Sequence, residues 1–140
     1  MVVNIKETQV RESIIRYINV IGWRCARVQS GQVKIPNQNG TWRVIRLAEA
    51  GTPDILACIA GRFVGIEVKK DETEVRKRHR EQEKRFEGKK FDVRSVNQKD
   101  QQDKIQDAGG LFCVVCSSKQ LHTKLVEWEL IAADKFVPWL

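Results

Sequence analysis

Apolar positions recur at helical spacing near the start of the chain. Val10, Ile14, Ile18 and Ile21, widened by Ile15 and Tyr17, make one stripe, which predicts a helix over 4–21 that Gly22 ends. The pattern then shortens. WRCARV (23–28) reads as a strand, followed by a turn at Ser30-Gly31. QVKI and TWRVIRL flank PNQNG, whose Asn39-Gly40 is a hairpin-turn signal. DILACI (54–59) and FVGIEVK (63–69) form a second hairpin around Ala60-Gly61-Arg62.

Residues 70–92 break the pattern. KDETEVRKRHREQEKRFEGKKFD holds nine Lys/Arg and seven acids, with only Val75, Phe86 and Phe91 apolar. Glu72/Arg76, Glu74/Arg78 and Glu81/Arg85 stand four apart, acid first, the better order for helix support. The segment reads as a charged helical insertion ending near Gly88, and so thin an apolar stripe makes a weak core element. A lid, a nucleic-acid contact, a dimer arm and a plain solvated helix all fit it. SVNQKDQQDKIQDAGG (95–110) is a further helix, with Ser95 and Gln98 spaced as a capping box and Gly109 as the stop. LFCVVC (111–116) is a buried strand, and LHTKLVEWELIAA (121–133) a last amphipathic helix. Helix, a run of strands, helix, strand, helix predicts an α/β fold with a mixed central sheet flanked by helices. The 140 residues hold no repeat and no linker, which fits a single domain over 1–140.

Composition adds two constraints. Charged residues make up 31% and no apolar run approaches membrane-spanning length, so a cytoplasmic protein is expected. The net charge of +7 is concentrated: residues 1–46 carry eight Lys/Arg against two acids. That basic third suits a polyanion such as nucleic acid, with Arg24, Arg27, Lys34, Arg43 and Arg46 as candidate phosphate contacts. Solubility alone is the plainer reading of the charge. Cys113 and Cys116 form a C-x-x-C inside a strand, where a spacing of three points them to opposite faces. Small buried hydrophobes in a reducing compartment are expected there, not a zinc or redox site.

The chemistry lies in the second hairpin. Alternation puts Val64, Ile66 and Val68 on one face of FVGIEVK and Gly65, Glu67 and Lys69 on the other. Asp54 opens the partner strand, near the Lys69 end. Two carboxylates and an ammonium then converge, and carboxylates that close repel unless a cation lies between them. Mg²⁺ binds one or two carboxylates together with waters and phosphate oxygens. The competing reading is an Asp at a turn plus an exposed Glu/Lys pair on an edge strand. At about 100° per residue, Glu7 stays in line with the apolar stripe of the first helix while Glu12 turns to solvent. Glu7 is either a core-facing acid that needs a partner or metal, or a first-turn acid favoured by the helix dipole.

The P-D…E-x-K arrangement resembles the PD-(D/E)XK nuclease superfamily, and more closely its VRR-Nuc branch, in the small stand-alone form found in phages and bacteria. The resemblance spans residues 7–116. ETQVRESIIRYINVIGW resembles the opening helix with Glu7 at its acidic position, RVQSG the R-x-x-S-G, GTPDIL the G-x-P-D and IEVK the E-x-K. Gln98, eleven positions before Gly109, resembles the glutamine of the following helix. The resemblance implies a restriction-endonuclease-like core and a metal-dependent phosphodiesterase acting on DNA. Asp54 and Glu67 would ligate Mg²⁺ or Mn²⁺, helped by the Val68 carbonyl, with Glu7 binding directly or through water. Lys69 would position or activate the attacking water, and Gln98 would lie near the site, which its capping-box role does not exclude. The stand-alone members resemble Holliday-junction resolvases, which implies a homodimer on branched double-stranded DNA in a bacterial or phage-infected cell, without membrane or small-molecule cofactor. Nicking or flap cleavage, a non-cleaving DNA-binding module, and an unrelated basic scaffold are the alternatives. The charged 70–92 stretch lengthens the family pattern.

Overall fold

The computed structural model describes residues 4–29 and 32–133, without the side chain of Arg46. The expected turn at Ser30-Gly31 lies outside the described residues.

The first helix, α1 (Glu7–Val20), starts later than its stripe suggests, because Lys6 takes the N-cap position and its N–H donates to Gln9 Oε1 at 2.9 Å. Gly22, at φ +92°, supplies the left-handed turn that ends it. Strands β1 (Arg24–Arg27), β2 (Gln32–Pro36), β3 (Trp42–Arg46), β4 (Ile55–Ile59) and β5 (Arg62–Val68) follow. Then come α2 (Glu72–Phe86), α3 (Val93–Asp107), β6 (Leu111–Val115) and α4 (Ser118–Glu127). The central sheet runs β1-β4-β5-β6, antiparallel up to β5, with β6 parallel to β5. It is a mixed sheet in an α/β fold, as the pattern predicts. β2 and β3 pair only with each other, in a separate two-stranded sheet.

One sheet face carries the core. Val10, Ile14, Tyr17 and Ile18 of α1 meet Ile55, Ile59, Val64, Ile66, Val68, Cys113 and Val115, and Leu121 and Leu125 of α4 complete the layer. Full burial of each large aliphatic side chain stabilises the fold by roughly 1.5–3 kcal/mol. Cys113 belongs to this core, and its burial pushes the thiol up to about 12.

Helix α3 packs on the other face, and α2 packs on α3 and reaches the sheet through Arg78 over the Phe112 ring. At Gly65 a Cβ would sit 3.0 Å from both Ile105 and Pro53, so a bare backbone lets α3 close on the strand. β5 has a strand on each side, and Glu67 is 2% exposed. That overturns the reading of Glu67 as half of a solvated pair on an edge strand.

Several local expectations change. None of the ion pairs proposed within the charged helix forms among the described residues; the partners go elsewhere. Arg85 pairs with Asp100 of α3 at 2.9 Å, Glu72 accepts from Gln120 of α4, and Arg78 is buried. Arg85, Glu72 and Arg78 took tertiary partners while Glu81 pairs within the helix with Lys84 at 2.6 Å, so α2 is not a plain solvated helix. α3 begins two residues before Ser95, because Asp92 caps it by accepting from Arg94 N–H and from the Ser95 hydroxyl. Ser95 and Gln98 therefore form no capping box. α4 starts earlier than expected, capped by Ser117, and stops at Glu127, with Glu129 at φ +59°.

Candidate active site

The G-T-P-D turn delivers Asp54. Gly51 sits at φ +84°, and a Cβ there would lie 2.2 Å from the Asn97 carbonyl oxygen and 2.7 Å from Gln98 N. Only glycine fits, so the turn lies directly on the α3 backbone. Thr52 closes it by donating its N–H and hydroxyl to the Glu49 carbonyl, at 3.2 and 2.6 Å. Glu49 in turn pairs with Lys104 of α3 at 3.1 Å. The turn that carries one acid is thus fixed to the helix that carries Gln98.

The hairpin register sets Ile55 opposite Ile66, which puts Asp54 level with Glu67. Asp54 Oδ2 accepts the Val68 N–H at 2.8 Å, and its backbone carbonyl accepts Val28 N–H at 2.8 Å. A strand residue's N–H and C=O point to the same side, so the Val68 carbonyl also faces Asp54. Asp54 thus stands at the end of the sheet where the sequence puts it.

Glu67 is the buried member. Its Oε1 accepts from Gln98 Nε2 at 2.8 Å and faces Lys69 Nζ at 3.6 Å. Its Oε2 is buried and meets no donor. Burial raises the Glu67 pKa to about 8, and the adjoining Asp54 carboxylate raises it further against the opposing charges of Lys69 and Arg78. An orphaned carboxylate oxygen next to a second carboxylate is costly unless a proton or a cation joins it.

Arg78 completes the cluster from α2. Only 3% exposed, it donates Nε to Gln98 Oε1 at 3.2 Å and Nη2 towards Gln102 Oε1 at 3.5 Å, with its guanidinium 5.7 Å from the Phe112 ring centre. Burial lowers its pKa, and Glu67 opposes that shift. The guanidinium takes the Gln98 carbonyl oxygen, which leaves the amide N–H to Glu67. In the sequence Arg78 stood out only as an i,i+4 partner of Glu74. Its signal was the spacing of Val75, Arg78 and Gln82, which repeats a helical stripe with polar residues in it.

A cavity of about 510 Å³ opens over the pair, lined by Gly51, Asp54, Glu67, Arg94, Asn97 and Gln98. Arg94, which the sequence did not single out, also borders a smaller cavity with Lys69 and Arg78. Glu7 is not brought in. It opens α1 half-buried, it does not line this cavity, and no three His, Cys, Asp or Glu among the described residues could share one metal ion. Glu7 as a third acid stays an expectation: the first turns of α1 border Cys116 and Ser117, just past Val115, which pairs with Val68, so Glu7 starts at that end of the sheet without lining the Asp54–Glu67 cavity.

Of the basic candidates, Arg27 lies opposite Ile55, at the Asp54 end of β1, and Arg24 lies opposite Cys58 at the far end. Both are exposed, as are Lys34 and Arg43 on the separate hairpin. Arg46 pairs with Gln32 in backbone register, and its side chain is outside the described set.

The remaining donors fit a hard divalent cation: two carboxylates, one with a buried oxygen lacking any donor, and a backbone carbonyl on the same side. The chain matches no protein-family model, no curated protein and no solved structure.

Proposed function

We propose that the chain is a divalent-metal-dependent endonuclease that hydrolyses phosphodiester bonds in branched DNA. The observation that carries this reading is the Asp54–Glu67 pair, with Glu67 Oε2 buried and unpartnered and Lys69 3.6 Å away, under a cavity open to substrate. The chain order of the central elements supports a restriction-endonuclease-like core of the VRR-Nuc type. A helix, the antiparallel strands β1, β4 and β5 with P-D and E-x-K on the last two, a crossover through α2 and α3, and the parallel strand β6 fit such a core.

Asp54, Glu67 and the Val68 carbonyl would hold Mg²⁺ or Mn²⁺. When bound, the ion supplies Lewis-acid polarisation of the phosphate and lowers the pKa of a bound water. The chain's own groups do the rest. Lys69, beside Glu67 and 14% exposed at its side chain, orients the attacking water and offsets charge on the phosphate. Gln98 holds Glu67 in place. Arg94 faces the open cavity and suits the backbone phosphate. No helix among the described residues is long and apolar enough to cross a membrane, and a DNA substrate fits a cytoplasmic location. A homodimer would place two such sites on opposing strands of a symmetric junction.

The test is strand cleavage of a labelled four-way junction beside matched duplex, flap and single-stranded DNA, with Mg²⁺, Mn²⁺ or chelator. Paired symmetric nicks in the junction, lost with chelator and with Asp54→Ala, support the proposal. Nicks confined to flaps redirect it to another branched substrate. Tight binding without a cut replaces it with a DNA-binding module.

A further inference from the structure

The hairpin of β2 and β3 stands apart from the body. Its strands pair with each other, and neither makes an extensive contact with another element. From Gln32 to Leu47 no described side chain is buried. A lone two-stranded hairpin is marginal in water. This one also exposes Val33, Trp42, Val44, Ile45 and Leu47, half of the large exposed hydrophobics, with Trp42 at 65%. Both faces carry apolar groups: Trp42 and Val44 share one with Lys34, while Val33 and Ile45 share the other with Arg43. Grouped exposed apolar surface of this kind marks a contact site.

Charge selects the occupant. Residues 13–48 hold six Lys/Arg and no Asp or Glu, and the hairpin lies within that stretch. A second copy would set the same positive charges against each other. A polyanion with flat apolar faces matches both properties: phosphates meet the cations, and unstacked bases meet the indole.

Resting on the nuclease reading for the neighbouring site, we infer that this hairpin is a DNA-reading arm that recognises the branch point. Trp42 stacks on a base exposed where helices meet, Lys34 on the same face takes the flanking phosphate, and Arg43 takes a phosphate on the opposite face. Fully paired duplex offers no such base in its interior. The arm therefore adds affinity for branched over linear DNA without reading sequence.

The experiment measures binding by fluorescence anisotropy in chelator, where no strand is cut. It compares a labelled four-way junction with a matched linear duplex. The proteins are the full chain, Trp42→Ala, Trp42→Phe and the Lys34→Ala/Arg43→Ala double variant. Trp42 touches nothing in the core, so thermal melting of its variants should match the parent. Trp42→Ala is expected to weaken junction binding about 5- to 150-fold, the range for one stacked base, and to leave duplex binding within about two-fold, while Trp42→Phe restores most of the loss. The double variant weakens both DNAs and flattens the salt dependence by about two charges. Equal junction binding by Trp42→Ala and the parent overturns the arm. So does a dimer that Trp42→Ala splits to monomers in light scattering, which would make the hairpin a self-interface. Junction cleavage that persists without any Trp42 effect removes the arm and leaves the nuclease reading. Trp42-dependent junction binding with no cleavage in Mg²⁺ removes the nuclease reading and keeps the arm. Failure of the parent to bind either DNA overturns both.

Discussion

Glu67→Gln should make the metal-free protein more stable at alkaline pH. In the folded chain Glu67 keeps its proton up to about pH 8, against an ordinary 4.5 when unfolded. Below pH 4.5 both states hold the proton, and the contribution of this group to stability is fully present. Between the two values the unfolded chain has released its proton while the folded chain retains it, so stability falls as pH rises. Above about 8 both are ionised and the loss is complete. At about 1.4 kcal/mol per pH unit the span is worth roughly 5 kcal/mol. Relaxation and water entry around the buried charge reduce this, so about 2–4 kcal/mol is expected. Glutamine has no proton to lose. Its carbonyl can still accept from Gln98, and its amide can donate towards Asp54. Urea unfolding at steps from pH 5 to pH 9 in chelator measures the effect. The stability of Glu67→Gln minus that of the parent should grow with pH, since groups distant from residue 67 titrate alike in both proteins and cancel in the difference. Millimolar Mg²⁺ should restore the parent at high pH and leave the variant unchanged, because the ion replaces the proton. Parallel pH profiles for the two proteins would refute the reasoning.

Three further outcomes follow from the same geometry. Gly51→Ala should cost about 3–5 kcal/mol in chemical unfolding, because its Cβ would lie 2.2 Å from a backbone oxygen at φ +84°; a loss below about 1 kcal/mol would mean the turn does not rest on α3. Lys69→Ala should keep DNA affinity and lower single-turnover cleavage by about 10²–10⁴-fold, and an equal loss of binding would remove its role in the chemical step. Arg78→Met leaves the buried Gln98 carbonyl without its donor, so unfolding should show a loss of about 1–3 kcal/mol, together with weaker Mn²⁺ binding as Gln98 loses its hold on Glu67; unchanged Mn²⁺ affinity would make Arg78 a packing residue only.

Much of this was legible because local rules and tertiary packing agree. The hairpin carrying P-D and E-x-K declares its register through period-two alternation, and that register alone sets Asp54 level with Glu67. Gly51 and Gly65 become meaningful once α3 is seen to rest on the backbone at both places. Arg78 was not legible, because a buried arginine and a solvated one look alike in a charged helix until the packing of α2 on α3 is known. Glu7 was legible only in part: periodicity puts it on the core side of α1 and does not say whether that side opens onto the cavity over Asp54 and Glu67. The detachment of β2 and β3 was hidden too, since a hairpin signal specifies the pairing of two strands and not what they rest against.

The most direct test of the central claim is a Mn²⁺ titration of the metal-free protein at pH 8.5, read by the electron paramagnetic resonance signal of free Mn²⁺. Saturable binding is expected, abolished by Asp54→Asn and by Glu67→Gln and left intact by Glu7→Gln. Binding that survives loss of both Asp54 and Glu67, or no binding by the parent at millimolar Mn²⁺, would contradict the claim.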